Sequence, residues 1–259
     1  MSFDDPDMIA CAELVQRADP DRFRVAMAAP VPARLVLFPL FAANVEVSRA
    51  PWVTQEHLIA EMRLQWWKDA FEEIAAGGNV RRHEVVTPLT RVLDARGAQL
   101  MLELAEVRSW DIYRDPFDDA AHFQRYITAT SANLMLAGAR ALGDVDDSAV
   151  LDMGYAAGLA NFLAAVPALE KAKRVPLVDG RPEAVAALAQ DGLARLKRAR
   201  SARGLVPQVV APAMLLGWKA EGILKRAAAQ PQRVAAGALA GSEFTNNAGL
   251  MLRAMTGRW

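Results

Sequence analysis

Apolar side chains recur at helical spacing along most of this chain, and no sustained alternation of period two marks a strand. From Thr54 the residues Leu58, Met62, Trp66, Ala70 and Ile74 return every fourth position, while Glu56, Lys68, Glu72 and Glu73 fall elsewhere. This is the clearest amphipathic helix, with Trp66 on the stripe and Trp67 at its edge beside Phe71. Similar periodicity runs through Phe123 to Leu142, Ser148 to Val166, Glu183 to Arg200, Gln208 to Ala229 and Ser242 to Met255. An all-α fold of about ten to twelve helices follows.

Punctuation agrees with the periodicity. A capping residue followed by proline suits a helix start, because the first helical N–H has no intrahelical partner. Asp5-Pro6, Asp19-Pro20, Thr87-Pro88 and Asp115-Pro116 fit that pattern, and Gly77-Gly78, Gly143 and Gly204 read as stops. With 259 residues, 53% of them hydrophobic, one core can bury about three quarters of the unfolded surface, so one domain over residues 1–259 is expected. Only 7% of residues are aromatic, and abundant alanine favours closely packed helices.

Thirty basic and thirty acidic side chains cancel, which leaves no net field to draw the chain onto nucleic acid. The single cysteine, Cys11, can make no internal disulfide, and the opening MSFDDPDMIA is acidic where a secretory or mitochondrial signal would be basic. The expected setting is a reducing cytoplasm. The most apolar stretches, Tyr155 to Leu169 and Pro30 to Val47, are interrupted by Asn161 and Pro167 and by Pro32, Arg34 and Pro39. They fall short of the roughly 20 apolar residues of a bilayer span and read as helices buried on most sides.

Familiar chemistry finds few footholds. His57, His83 and His122 lie far apart, with no second histidine or cysteine at metal-ligand spacing, and there is no G-x-S-x-G or Gly-rich phosphate loop. Asp115 and Asp118-Asp119 have magnesium-chelating spacing if helical, but Pro116 marks Asp115 as a cap or turn residue. Asp144, Asp146 and Asp147 precede a helix in the same way, Asp147 being the expected cap, with Asp152 off its face. Arg195, Lys197, Arg198, Arg200 and Arg203 form the one concentrated basic stretch. It suits a solvated helix face, or attachment to anionic lipid or an acidic protein surface.

The segments LVLFPLFAANVEVSRAP, MRLQWWKDAFEEI and MGYAAGLANFLAAVPALEKAKRVPL, in this order and spacing, resemble the squalene/phytoene synthase family of head-to-head prenyltransferases. The resemblance spans Asp19 to about Arg181, and Arg63 to Trp67 is its best local signature. It implies an all-α terpenoid-synthase-like bundle around an apolar cavity. It also implies magnesium ions, held by two aspartate-rich motifs, that stabilise the departing diphosphate. The first motif falls on Ser48, Arg49 and Trp52, the second on Ala165 and Leu169, and none of these is acidic. The family's glutamine and arginine fall on Gly158 and Ala164, whereas its asparagine is kept as Asn161. Glu46 and Glu170 are offset by two residues and one residue, rotations of about 200° and 100° from the ligand direction.

No metal ligand set is therefore expected, and magnesium would enter only with a prenyltransferase activity. Arg49 repels magnesium; it suits a phosphate or carboxylate, or an ion pair with Glu46. Asp111 matches an acidic family position, and also suits a cap or a pair with Arg108 or Arg114. Loss of both motifs resembles the divergent branch of assembly factors for respiratory complex I. The expectation is a non-catalytic assembly or scaffolding protein with respiratory-complex subunits as partners, touching the inner face of the membrane. Two alternatives stay open: a prenyltransferase acting on allylic diphosphates, and a carrier of an isoprenoid or other lipid, with Phe38, Phe41, Asn161 and Phe162 lining the pocket.

Overall fold

Two aspartate-proline pairs open the molecule as their sequence requires. Asp5 accepts from the Asp7 N–H and starts α1 (Pro6–Ala18); Asp19 accepts from the Arg22 N–H at 3.0 Å and starts α2 (Pro20–Ala28). The computed structural model describes residues 4–259, so Met1, Ser2 and Phe3 of the acidic opening stretch lie outside the described residues. The chain continues through α3 (Val31–Arg49), α4 (His57–Ala76), α5 (Val86–Leu89), α6 (Ala95–Val107) and α7 (Ala120–Ile127). A π-helical turn, Thr128–Ala132, leads into α8 (Asn133–Leu142), followed by α9 (Asp147–Lys171) and α10 (Pro182–Ser201). α11 (Ala211–Met214), α12 (Ala220–Ala229), α13 (Gln232–Ala235) and α14 (Glu243–Thr256) complete the order. Eleven of these helices have eight residues or more, and the described residues form no strand.

α9 is the central strut. It packs against α7, the π turn, α8, α10, α12 and α13, while α4 lies on α6 and α1 on α3. One hydrophobic cluster runs from Met8 to Trp259. α3 and α9 are long and apolar enough to cross a membrane, yet 61% and 67% of their most apolar windows are buried inside the fold. Cys11 is shut in this core, where burial pushes its thiol up to about 12.

Several local readings need correction. On α4 the buried face is Ala60, Leu64, Trp67, Phe71 and Ile74, whereas Leu58 and Met62 are exposed and Trp66 is half-buried. A strict four-residue repeat drifts by about 40° per step, so it winds off the core, while alternating steps of four and three hold one face. Asp115-Pro116 starts no helix, because Phe117 is drawn into the core against Trp110, ring centroids 4.1 Å apart, and Asp119 caps α7. Thr87-Pro88 lies inside α5, Asp146 rather than Asp147 caps α9, and α10 stops at Ser201, ahead of Gly204. Within Gln208 to Ala229, residues 208–217 form a series of short turns, around Pro212 and Gly217, and only α12 is a longer helix.

The basic stretch on α10 is largely structural. Arg195 pairs with Asp191 and lies 3.9 Å from the Tyr155 ring centroid, Arg198 forks onto Asp152 at 2.8 and 2.9 Å, and Arg200 holds Glu221 at 2.6 Å.

α9 and the π turn approach one another closely. A Cβ on Gly154 would stand 2.5 Å from the Ala132 Cα, and one on Gly158 would collide with Ser131. Ser131 Oγ donates to the Gly154 carbonyl at 2.9 Å across this contact. Gly154→Ala should therefore cost about 1–3 kcal/mol, against the normal helix preference for alanine. Gly249→Ala, in open space within α14, should instead gain up to about 1 kcal/mol. Urea unfolding of the two variants checks the opposite signs.

Candidate functional site

A cavity of about 360 Å³ lies between α2, the α7–π–α8 segment, α9 and residues 216–220. Its walls mix Val25, Ile127 and Leu134 with Thr130, Ser131 and Asn161, and Arg22, Arg108 and Lys219 also line it. The expected apolar cavity is thus strongly polar on one side. Its carboxylates are taken: Asp19 pairs with Arg22, and Asp21 with Arg24 at 2.9 Å and Lys219 at 2.6 Å. The Nε groups of Arg22 and Arg108 are buried without a partner, so unspent donors here belong to cations. Asn161 and Phe162 line this cavity. Phe38 and Phe41 do not: each is at most 2% exposed in the core, Phe38 with Phe23 at 5.8 Å, because α3 is enclosed by α1, α2 and α8.

Beyond Phe162 an aromatic cluster of Trp110, Phe117, Phe123 and Tyr126 fills the space. Its polar centre is Asp111, which is 2% exposed. The Asp111 carboxylate accepts from Arg108 Nη1 at 2.9 Å and from the Tyr126 hydroxyl at 2.9 Å, and that hydroxyl accepts a second Arg108 bond at 2.8 Å. Burial pushes the Tyr126 phenol up, with Arg108 acting against the shift and Asp111 adding to it. For Arg108, burial opposes the charge, but Tyr126 and Asp111 outweigh it and the guanidinium is held protonated.

Arg174 completes the arrangement. α9 ends in a Schellman turn: the Lys173 N–H donates to the Glu170 carbonyl at 2.8 Å, and the Arg174 N–H to the Leu169 carbonyl at 3.0 Å. Lys173 takes φ +61°, the one positive φ outside glycine among the described residues, and the reversal sends Arg174 inward. Its guanidinium donates to the carbonyls of Trp110, Asp111 and Tyr113, and lies 4.7 Å from the Trp52 ring centroid and 5.3 Å from that of Trp110. Burial lowers the proton affinity of Arg174, and the negative charge of Asp111 opposes the shift.

The positions of the first aspartate-rich motif are spent on structure. Ser48 bonds the Val45 carbonyl at 3.0 Å, Arg49 meets Glu46 at 3.3 Å, and Trp52 covers Arg174. Ala165 and Leu169 are half-buried on α9. Arg49 lines a separate cleft of about 340 Å³ with Glu46, Arg63, Trp66, Trp67 and His83, away from the central cavity. At Gly158, where the resemblance implies glutamine, Ser131 leaves no room for a side chain.

The pattern of the squalene/phytoene synthase family matches residues 15–245. The chain belongs to this family. Its fold is that of solved squalene/phytoene synthases. A dehydrosqualene synthase crystallised with ligand matches with TM-score 0.72 over 98% of both chains at 12% identity. Squalene synthase HpnC from Alicyclobacillus acidocaldarius matches with TM-score 0.68 over 87% of this chain and 94% of its own at 16% identity.

Among curated relatives, the NADH dehydrogenase (ubiquinone) complex I, assembly factor 6 homolog of Drosophila melanogaster is 28% identical over 168 residues, 61% of this chain and 50% of that protein. Assembly factor 6 of Homo sapiens is 24% identical over 162 residues, 61% of this chain and 48% of its own. That of Bos taurus is 24% identical over 213 residues, 79% and 62%. The chain spans about half the length of the first two.

For this member of the squalene/phytoene synthase family, the side chains present do not fit the magnesium that the family implies. Among the described residues, no three His, Cys, Asp or Glu groups come together as a metal-binding set. The carboxylate nearest the aromatic cluster, Asp111, is already neutralised by Arg108. Sequence reasoning did not single out Arg22, Arg174 or Lys219, and took Arg108 only as a partner for Asp111. Arg174 stood inside a quoted family segment, but nothing in EKAKRVPL distinguishes the one cation that the αL turn aims inward.

Arg174→Met should lower stability by roughly 2–5 kcal/mol, because it leaves the carbonyls of 110, 111 and 113 without their donor. Arg174→Lys should recover less than half, since an ammonium cannot fork to several acceptors while stacking between rings. Urea unfolding midpoints at constant m measure both.

Proposed function

We propose that this squalene/phytoene synthase-family chain acts without diphosphate chemistry, as an assembly or scaffolding protein for a respiratory complex of the complex I type. The observation that carries the reading is the Arg174 guanidinium, fixed against Trp52 at an expected metal-ligand position. A fixed cation there opposes the binding of magnesium, and among the described residues no group of three His, Cys, Asp or Glu side chains offsets it. The names of the relatives support the same direction, since each is called a complex I assembly factor.

On this reading the partners are complex I subunits, the chain works in the cytoplasm at the inner face of the membrane, and no cofactor is needed. Carriage of a small isoprenoid or lipid is favoured by the central cavity, which Asn161 and Phe162 line. Native mass spectrometry of gently purified chain reads out that occupancy as a bound lipid mass.

The deciding experiment pairs capture with turnover. Tagged chain, recovered in mild detergent from its source cells, should retain complex I subunits, and cells lacking it should accumulate incomplete complex I on native gels. The purified chain with farnesyl diphosphate and magnesium should release no diphosphate above the protein-free rate. Magnesium-dependent release, together with intact complex I in cells lacking the chain, would overturn the reading.

A further inference from the structure

The segment Arg63 to Trp67 forms one wall of the cleft of about 340 Å³ that Arg49 lines, and this cleft shares no lining residue with the central cavity. On α4 the positions three and four residues from Arg63 are Ile59, Ala60, Trp66 and Trp67, so no carboxylate lies within helical reach of its guanidinium. Arg63 is exposed, and among the described residues it has neither an ion pair nor a hydrogen bond. An unspent cation therefore shares a helix face with two indoles, whose ring centroids are 5.1 Å apart at an interplanar angle of 83°. Arg49 adds a second guanidinium from the end of α3. Its bond to Glu46 is 3.3 Å long, beyond the roughly 2.9 Å of a strong charge-assisted bond, and leaves most of its donors free. Glu46 is the one acidic residue of the lining.

The wall formed by the segment before α5 is held in place by the fold itself. Arg81 forks onto Glu73 with bonds of 2.6 to 3.1 Å, donates to the Trp66 carbonyl at 3.1 Å, and lies 5.0 Å from the Trp66 ring centroid. His83 packs against both indoles, with ring centroids 5.1 and 5.6 Å away, and its N–H donates to Thr87 Oγ1 at 3.3 Å. The Val85 N–H donates to His83 Nδ1 at 3.1 Å, which fixes the tautomer of the neutral ring. The proton is then on Nε2, and that nitrogen has no protein partner among the described residues. Three elements thus each bring an unspent donor to a cleft walled by aromatic and small apolar side chains, and the walls need no rearrangement to receive a ligand.

We infer that this cleft is a metal-independent binding site for a small phosphate monoester carried on a flat ring, with Arg49, Arg63 and His83 donating to the phosphate oxygens and Trp66 and Trp67 meeting the ring. A carboxylate is filled by a single guanidinium fork, whereas the three oxygens of a phosphate monoester use donors from all three elements. Indole rings pack favourably against flat rings of many kinds, so the walls set the shape of the ligand more than its identity. The volume lies near the lower end of the roughly 300–1,000 Å³ of ligand pockets, which suits one compact ligand rather than a long lipid chain. The site stands apart from the central cavity and from any role in complex I assembly.

Calorimetric titration of the full chain with phenyl phosphate, in the presence of EDTA, tests the site, with inorganic phosphate and benzoate as comparison arms. Phenyl phosphate should bind saturably without metal and change the tryptophan fluorescence. It should bind at least about tenfold more tightly than either comparison compound, because it alone brings both the dianion and the ring. Arg63→Gln and Arg49→Gln should each weaken it by about tenfold or more. Because both side chains are exposed, thermal unfolding should be unchanged, which separates a lost site from a lost fold. Absence of saturable binding of phenyl phosphate at millimolar concentration overturns the inference, as does binding by folded Arg63→Gln equal to that of the parent. Equal affinity for benzoate would overturn the assignment to phosphate, and equal affinity for inorganic phosphate would overturn the role of the indoles.

Discussion

Burying a guanidinium obliges the surrounding chain to supply acceptors and aromatic faces, and Arg174 organises one end of the molecule in that way. Its donors take three carbonyls from residues 110–113, and its faces take Trp52 and Trp110. The end of α9, the 108–111 turn and the loop after α3 are thereby tied together by one side chain. Arg108 then neutralises Asp111 beside it, and the Tyr126 hydroxyl donates to the same carboxylate. The pair is balanced and hydrogen-bonded, which is the condition under which buried charge is tolerated.

The same constraint supports the proposal that the chain acts without diphosphate chemistry. Departure of a diphosphate leaves several negative charges that must be stabilised as they develop, and the family does so with divalent cations on paired aspartates. Here the nearby cations are arginine side chains, with Arg108 bonded to a carboxylate and a phenol and Arg174 to three carbonyls. Gly154 and Gly158 let α9 press against the π turn, and an aromatic cluster packs around Phe162. The fold of the family is kept.

Helical class and most long elements were legible because apolar periodicity and caps act locally: Asp5, Asp19 and Gly77 each do what their residue type favours. Failures arose where tertiary packing overrode a local signal. Phe117, pulled onto Trp110, undid the helix start expected at Asp115-Pro116, and the drift of a four-residue repeat misplaced the core face of α4 onto Leu58 and Met62. Absence of aspartates at 48, 49, 52, 165 and 169 could be read directly. What replaced them could not, since the direction of Arg174 depends on a lysine in a left-handed turn that glycine usually occupies. Phe244, Met251, Leu252 and Met255 of α14 are exposed at the spacing of a core-facing stripe, so sequence periodicity alone cannot tell which side of a helix meets the fold.

The most direct measurement is a crystal structure of the chain soaked with manganese, as a stand-in for magnesium, and a farnesyl thiodiphosphate. The account predicts no anomalous peak between the C-terminal ends of α3 and α9, with Arg174 still seated between Trp52 and Trp110. Ordered manganese ions at that place, with the Arg174 side chain displaced, would contradict it.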